Sequence, residues 1–424
     1  MWSIGDGGDP AELLTAFLLE DGLPVRELGR TATDFHPVGP GTVCGAVLYV
    51  SAAAASVMAG GPRGPASPVP SIPDIFARVY LHGNGAERFD SAATDLRIGP
   101  WRASWTPAEH AAAVAEARAA IGRGDVYQVN VVGHAAAAYS GDIGPALARV
   151  ATLPGARYGG VLTSDGWPTG GGRPTGDGRA IGDGRATGDG RPAGNSRPTG
   201  GRLLAGEGAF SGAGRPSDGR PAGGEWAIAC ASPETLVEVR AGRVITRPIK
   251  GTRPATAAGH AELLASAKER AEHVMIVDLA RNDLSRLSGA GPVTVDELFA
   301  VRRWCALWQA ESVVSAPVTG PLDLADLLRA LAPGGSVTGA PKLAALHEIA
   351  RLEPVGRGAS MGALGWVGTG HVDLGLTIRT VAASAGEVHL WAGGGITWGS
   401  DPAAEVAEAA AKADPIRRAL RGRS

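Results

Sequence analysis

The sequence predicts a mixed α and β fold, as one large α/β or α+β domain or two to three smaller ones, and three observations support this. The first is helix-start chemistry. Thr106-Pro107-Ala108-Glu109 offers a Thr N-cap, a Pro at the first helical position and a Glu at N3, ahead of an Ala-rich run to about Arg123. The second is alternation of β-branched residues, as in residues 125–132 (DVYQVNVV), which has the period of a strand. The third is bulk: 424 residues with 44% hydrophobic content suffice for a large core.

Taken in order, residues 10–19 have the apolar spacing of an amphipathic helix, and residues 43–50 form a short apolar run. Pro and Gly are dense over residues 60–73, so residues 1–100 are expected to be loop-rich around a few strands. Residues 165–224 contain 20 glycines and a degenerate six-residue repeat (TGDGRA, IGDGRA, TGDGRP, AGNSRP). This stretch lacks a Gly-X-Y period and holds too few apolar side chains to offset the entropy of ordering. Residues 164–224 are therefore expected to be a disordered insertion within a folded domain. Beyond it, residues 225–252 suggest strands joined at the Ala241-Gly242 turn. Helices are expected at about 257–281, 322–331, 340–352 and 402–420, with a loop, strand and helix mixture to Arg303 and three antiparallel strands over 362–392.

Composition excludes several classes. A net charge of −2 provides no electrostatic footprint for nucleic acid or an anionic membrane. Cys44, Cys230 and Cys305 are far apart, odd in number and without metal spacing, as expected of small core residues in a reducing compartment. There is no basic segment followed by an apolar stretch at the N-terminus and no run of membrane-span length, so a soluble cytoplasmic protein is expected.

Only four residues are Lys, against 36 Arg. Arg has taken over most positions where a generic positive charge suffices. The remaining lysines are candidates for work Arg cannot do, because a Lys amine can lose its proton and act as a nucleophile or base. Lys250 stands in Arg-Pro-Ile-Lys-Gly-Thr-Arg-Pro, and Lys342 and Lys412 fall in further motifs. Lys268 reads as a surface residue on an Ala/Glu-rich helix. Glu269 and Glu272, and again Glu405 and Glu408, lie three apart, which puts each pair on one helix face. Four converging carboxylates would suit Mg²⁺, whereas each pair alone equally describes a solvated face. The Gly-rich stretch 333–342 (PGGSVTGAPK) opens a helix and could hold a phosphate or a carboxylate; it is not a P-loop, because Ala-Pro replaces the Gly that should precede Lys342.

These pieces together resemble the chorismate-utilising enzymes, a family that includes anthranilate, aminodeoxychorismate and isochorismate synthases. PIKGTRP, AEHVMIVDLARNDLSR, PGGSVTGAPK, the TIRT of residues 377–380, WAGGGI and E-x-x-E-x-x-x-K (405–412) occur in the family's order. The resemblance covers roughly residues 100–163 and 225–420. It implies an α+β chorismate-binding enzyme fold, with two large antiparallel sheets packed as a sandwich and flanked by helices. It also implies a catalytic domain made of residues 101–163 and 225–424, with residues 1–100 as the N-terminal part of the fold.

Within the family, Pro-Ile-Lys-Gly-Thr resembles the aminodeoxychorismate synthases, whereas anthranilate synthases have Pro-Ile-Ala-Gly-Thr. The resemblance implies that the Lys250 amine attacks C2 of chorismate as the C4 hydroxyl leaves. Ammonia then adds at C4 and expels the lysine, giving 4-amino-4-deoxychorismate. One awkward substitution thus becomes two allylic displacements. Gln128 occupies the position of a water-activating lysine in water-using relatives, and an amide cannot serve as that base. Glu234 in Ser-Pro-Glu matches the general acid for the departing hydroxyl. Glu269, Glu272, Glu405 and Glu408 match Mg²⁺ ligands, and Arg379 matches a carboxylate clamp. Thr252, Thr338, Gly394, Lys412 and Trp366 match positions near the substrate.

The chain departs from the pattern at Gln309, where relatives carry a His, at Trp366 in place of Tyr, and at Ala411 and Ala255. It has no glutaminase signature, so ammonia drawn from glutamine implies a separate amidotransferase subunit. The alternatives are a component producing anthranilate or 2-amino-2-deoxyisochorismate, and a non-catalytic relative.

Overall fold

The computed structural model describes residues 1–29, 42–81, 95–164 and 225–422. Apart from Ser164, the expected Gly-rich insertion therefore lies outside the described residues.

Two antiparallel sheets form the body. The larger runs, in spatial order, Ile249–Pro254, Leu307–Pro317, Arg243–Arg247, Thr235–Arg240, His371–Leu376, Ala363–Gly368, Val43–Val50 and Ile75–Leu81, with Thr294–Trp304 also pairing Leu307–Pro317. The smaller runs Gly339–Ala340, Gln128–Ser140, Glu387–Ile396, Thr380–Ser384, Trp226–Ser232 and Tyr158–Thr163.

Trp226–Ser232 (WAIACAS) shows how the layers arise. Every position of this strand is buried. Trp226, Ile228 and Cys230 face the core between the sheets, with Val237, Leu374 and Trp391. Ala227, Ala229 and Ala231 face outward, under Leu147 and Val150 of helix Gly144–Ala151 and Ile416 and Leu420 of helix Pro402–Arg421. A strand covered on both faces needs a continuous apolar run rather than alternation. Helices Pro107–Arg123 and Lys342–Leu352 cover Val129, Val131 and Ile396 at the other end of this sheet.

The helix start at Thr106 forms as expected. Thr106 Oγ1 accepts from Glu109 N–H at 3.2 Å, and a Glu109 carboxylate oxygen accepts from Thr106 N–H at 2.6 Å. The strand expected at 125–132 is instead Gln128–Ser140, because its alanines, which carry little strand signal, pair along Glu387–Ile396. The helix expected at 257–281 is two, Ala257–Ala265 and Ala267–Ser285, divided at Ser266, whose hydroxyl accepts from Glu269 N–H. Residues 294–304 form a single strand where a mixture was expected. The three strands expected over 362–392 are four, two in each sheet.

Among the described residues of 1–100, Val43–Val50 pairs directly with Ala363–Gly368. Among the described residues no helix is long and apolar enough to cross a membrane.

Tyr158 pins the sheets together. Its hydroxyl donates to Asp373 Oδ1 at 2.6 Å and lies 2.9 Å from Thr235 Oγ1, both on the larger sheet. A Cβ at Gly375 would stand 2.3 Å from the Tyr158 ring. Gly375→Ala is expected to destabilise the protein by about 1–3 kcal/mol, read as a lower urea midpoint at unchanged slope.

Candidate active site

The chain crosses from the smaller to the larger sheet at Pro233-Glu234 and returns at Thr377-Ile378-Arg379. The two crossings are bonded to each other: Ala231 N–H donates to Arg379 O, and Leu376 N–H to Glu234 O, each at 3.1 Å. Both crossings line a cavity of about 110 Å³. Met361 and Arg379 on its wall have φ of 61° and 53°, left-handed values that are costly for side-chain-bearing residues and that concentrate at functional sites.

Lys250 lies on the edge strand Ile249–Pro254, which bulges at Gly251 (φ 88°). Its Nζ donates to Gly395 O at 3.1 Å and stands 3.8 Å from Glu272 Oε2. A Cβ at position 395 would come within 2.3 Å of that nitrogen, so the lysine can cross the strand only over a glycine. The neighbouring Ile249 N–H donates to Glu234 Oε1 at 3.3 Å, and Ser336 Oγ donates to the same oxygen at 2.5 Å. Burial pushes the Glu234 carboxyl up to about 7, against the lowering effect of these two donors. Such a carboxyl holds and releases a proton near neutrality.

The two glutamate pairs do converge. Glu269 and Glu272 from helix Ala267–Ser285, and Glu405 and Glu408 from helix Pro402–Arg421, all line the cavity. Each has a partner. Arg253 Nη1 donates to Glu269 at 2.9 Å, Thr397 Oγ1 to Glu272 at 2.6 Å and Ser400 Oγ to Glu405 at 2.6 Å, while Lys412 lies 2.7 Å from Glu408. Burial raises the Glu405 carboxyl. At Glu408 burial has the same tendency, but Lys412 outweighs it and holds the group below its usual range.

Lys268 is exposed, as expected of a surface residue, and it also lines the cavity and pairs with Glu272 at 3.7 Å. Besides Glu234, four lining carboxylates face the side chains of Lys250, Lys268, Lys412 and Arg379. Among the described residues no group of three or more His, Cys, Asp or Glu stands close enough together to hold a metal ion as the side chains lie.

Thr252 and Gly394 also line the cavity, and Gly394 gives Glu405 and Lys412 room to approach. Gln128 is fully buried behind the wall, with Nε2 2.8 Å from where a Cβ at 395 would be. Two positions expected near a substrate are not on the lining. Thr338 turns inward, its hydroxyl donating to Gly334 O at 2.9 Å. Trp366 packs over Gly45 and against Tyr80 on the flank of the larger sheet. Conversely Asn130, Ser336, Met361 and Trp391 line the cavity without having been singled out. Asn130 was accessible from Gln128, since residues two apart on a strand share a face. Trp391 opens the WAGGGI motif, whereas Met361 carries no local signal.

Eight buried side-chain polar atoms lack a partner among the described residues, and five of them belong to Gln128, Asn130, Gln309 and Arg379. Natural proteins rarely leave such groups unpaired, so their concentration here marks a place for a polar ligand. Arg379 stacks over the Trp304 ring at 4.2 Å with Nη1 unpaired, and burial pulls its guanidinium down to about 10, still charged at neutral pH.

Comparison with known proteins agrees with this geometry. Residues 222–418 match the model of the chorismate binding enzyme family. Aminodeoxychorismate synthase component 1 of Klebsiella aerogenes is 43% identical over 201 residues, 46% of this chain and 45% of that protein. Anthranilate synthase component 1 of Streptomyces coelicolor is 43% identical over 198 residues, 45% of this chain and 39% of that protein. These matches therefore span less than half the length of the curated relatives. The crystal structure of anthranilate synthase component I from Streptococcus pneumoniae superposes with a TM-score of 0.65 at 23% identity, over 97% of this chain and 86% of that one. The menaquinone-specific isochorismate synthase MenF from Escherichia coli does so with a TM-score of 0.58 at 14% identity, over 97% and 100%. At such identities these two structures establish the fold alone: the larger and smaller sheets follow the arrangement seen in those two proteins. The family match covers residues 222–418, a little under half of the chain.

Proposed function

We propose that the protein is the chorismate-aminating component of an aminodeoxychorismate synthase, exchanging the C4 hydroxyl of chorismate for an amine. The observation that carries this reading is the position of Lys250, a largely buried amine on the wall of a cavity that also holds a carboxyl titrating near 7. In this reading the unprotonated Lys250 Nζ attacks C2, the ring double bond shifts, and the C4–O bond breaks as Glu234 delivers its proton to the leaving oxygen. Ammonia then attacks C4, the double bond shifts back, and the C2–N bond to Lys250 breaks. Arg379, with an unpaired Nη1, is suited to a substrate carboxylate. Gln128 is buried and neutral, and provides no base to activate water.

Glu269, Glu272, Glu405 and Glu408 fit Mg²⁺ in kind, because a hard cation prefers oxygen donors, though they would have to release their present partners to gather round it. Bound there, the ion would neutralise a substrate carboxylate. Joint entry suits so charged a lining, because a doubly charged cation and a dicarboxylate together add no net charge to it. A separate glutamine amidotransferase subunit would supply ammonia. Anthranilate formation is the second reading, since the anthranilate synthase component 1 of Streptomyces coelicolor matches at the same 43% identity.

Incubation with chorismate, Mg²⁺ and ammonium, with products resolved by mass, is expected to yield 4-amino-4-deoxychorismate; anthranilate would overturn the assignment. Lys250→Ala is expected to lower turnover by roughly 10²-fold or more, and undiminished activity would remove the covalent role. Glu405→Ala is expected to abolish Mg²⁺-dependent turnover, and an unchanged response to added Mg²⁺ would remove it from the ligand set.

Glu234 sets a pH dependence. Its folded value of about 7 lies above the ordinary 4.5, so the native state holds a proton that the unfolded chain releases between those values. Stability is therefore lost as pH rises from 4.5 to 7, by a total on the order of 3 kcal/mol. Glu234→Gln is expected to unfold at higher denaturant than the parent above pH 7 while losing about 10²–10⁴-fold in turnover.

A further inference from the structure

Behind the wall that carries Ser336 lies an ion pair that does not touch the cavity. Arg357 Nε donates to Glu353 Oε2 at 2.9 Å and Nη2 to Glu353 Oε1 at 2.7 Å, with both residues less than 10% exposed. The same guanidinium donates from Nη1 to Val337 O at 2.5 Å and from Nη2 to Asn130 O at 3.1 Å. Glu353 Oε1 also accepts from Val132 N–H at 3.0 Å. The pair thus holds strand Gln128–Ser140 at two residues and the 335–338 turn at its centre.

Strand and turn are also bonded directly. Asn130 N–H donates to Thr338 O at 2.6 Å and Asn130 Nδ2 to Ser336 O at 3.4 Å. The turn's one side-chain contact with the candidate acid is Ser336 Oγ to Glu234 Oε1 at 2.5 Å. Burying two charges seldom stabilises a fold over an apolar pair of the same shape. An apolar pair, however, could not grip two carbonyls and an amide.

We propose that Glu353 and Arg357 are positioning residues for Glu234, acting through the turn that presents the Ser336 hydroxyl. The proposal rests on the reading of Glu234 as the acid of the site. Ser336 donates to the charged form of Glu234, so an ordered turn favours release of the proton and a loosened one retains it. Lysine at 357 keeps the charge but cannot serve a bidentate carboxylate and two carbonyls together.

The test follows the protonated-carboxyl infrared band of the ligand-free protein against pH, assigned to Glu234 by its loss in Glu234→Gln. Arg357→Lys and Ser336→Ala are each expected to raise the midpoint by about one pH unit. The double variant is expected to shift no further than either single one, because both act through the same hydroxyl. An unmoved midpoint in folded Arg357→Lys, or additive shifts in the double variant, would overturn the proposal. Should Arg357→Lys fail to fold, Glu353→Gln, which keeps an acceptor for Val132 N–H but frees Arg357, carries the same expectations. The titration needs no turnover, so its result stands whichever product the enzyme forms.

Discussion

The site depends on the pair of adjacent crossings by which the chain changes sheets. A strand leaving its ladder must satisfy its backbone elsewhere, and here each crossing supplies the other's partner, Ala231 to Arg379 and Leu376 to Glu234. The outcome is an acid and a guanidinium fixed to each other through the main chain rather than through their side chains. Their charged ends stay uncommitted to one another, and Arg379 keeps an unpaired nitrogen inside the protein. The positive φ at Arg379 is the strain that accompanies this arrangement.

Around that seam the electrostatics are nearly self-cancelling. Each glutamate on the lining has a protein donor or cation of its own, which makes it affordable to bury so many charges in one cavity. It also means that binding is an exchange of partners. Glycines at 394 and 395 make this possible, since a Cβ at 394 would stand 3.0 Å from Glu405 Oε2 and 3.6 Å from Lys412 Nζ, and one at 395 would stand 2.3 Å from Lys250 Nζ.

Much of this was legible in the sequence, for reasons that differ by residue. Lys250 stood out because lysine is scarce, and the glutamate pairs because helical spacing of three is a local property. That the pairs meet is not local; it follows from two helices more than a hundred residues apart closing on one cavity. The Ala-rich half of strand Gln128–Ser140 hid from propensity, since only its partner strand makes it extended. Thr338 and Trp366 carry motif-level resemblance, yet the direction of a side chain at a turn or a sheet flank is set by packing that no short motif encodes. Ser336 was inside a recognised motif, but its importance became visible only through its contact with Glu234.

The scarcity of lysine has one more consequence. All four lysines are described: Lys250, Lys268 and Lys412 stand on the cavity wall, and Lys342 is buried against Asp283. Three of them are largely buried, and Lys268 is the exposed one, with 48% of its side chain accessible while it pairs with Glu272. Reagents and modifying enzymes that seek lysine therefore meet one exposed side chain, Lys268, and it stands beside Glu272 on the cavity wall, so acylation there would alter the charge of the site rather than label a remote surface.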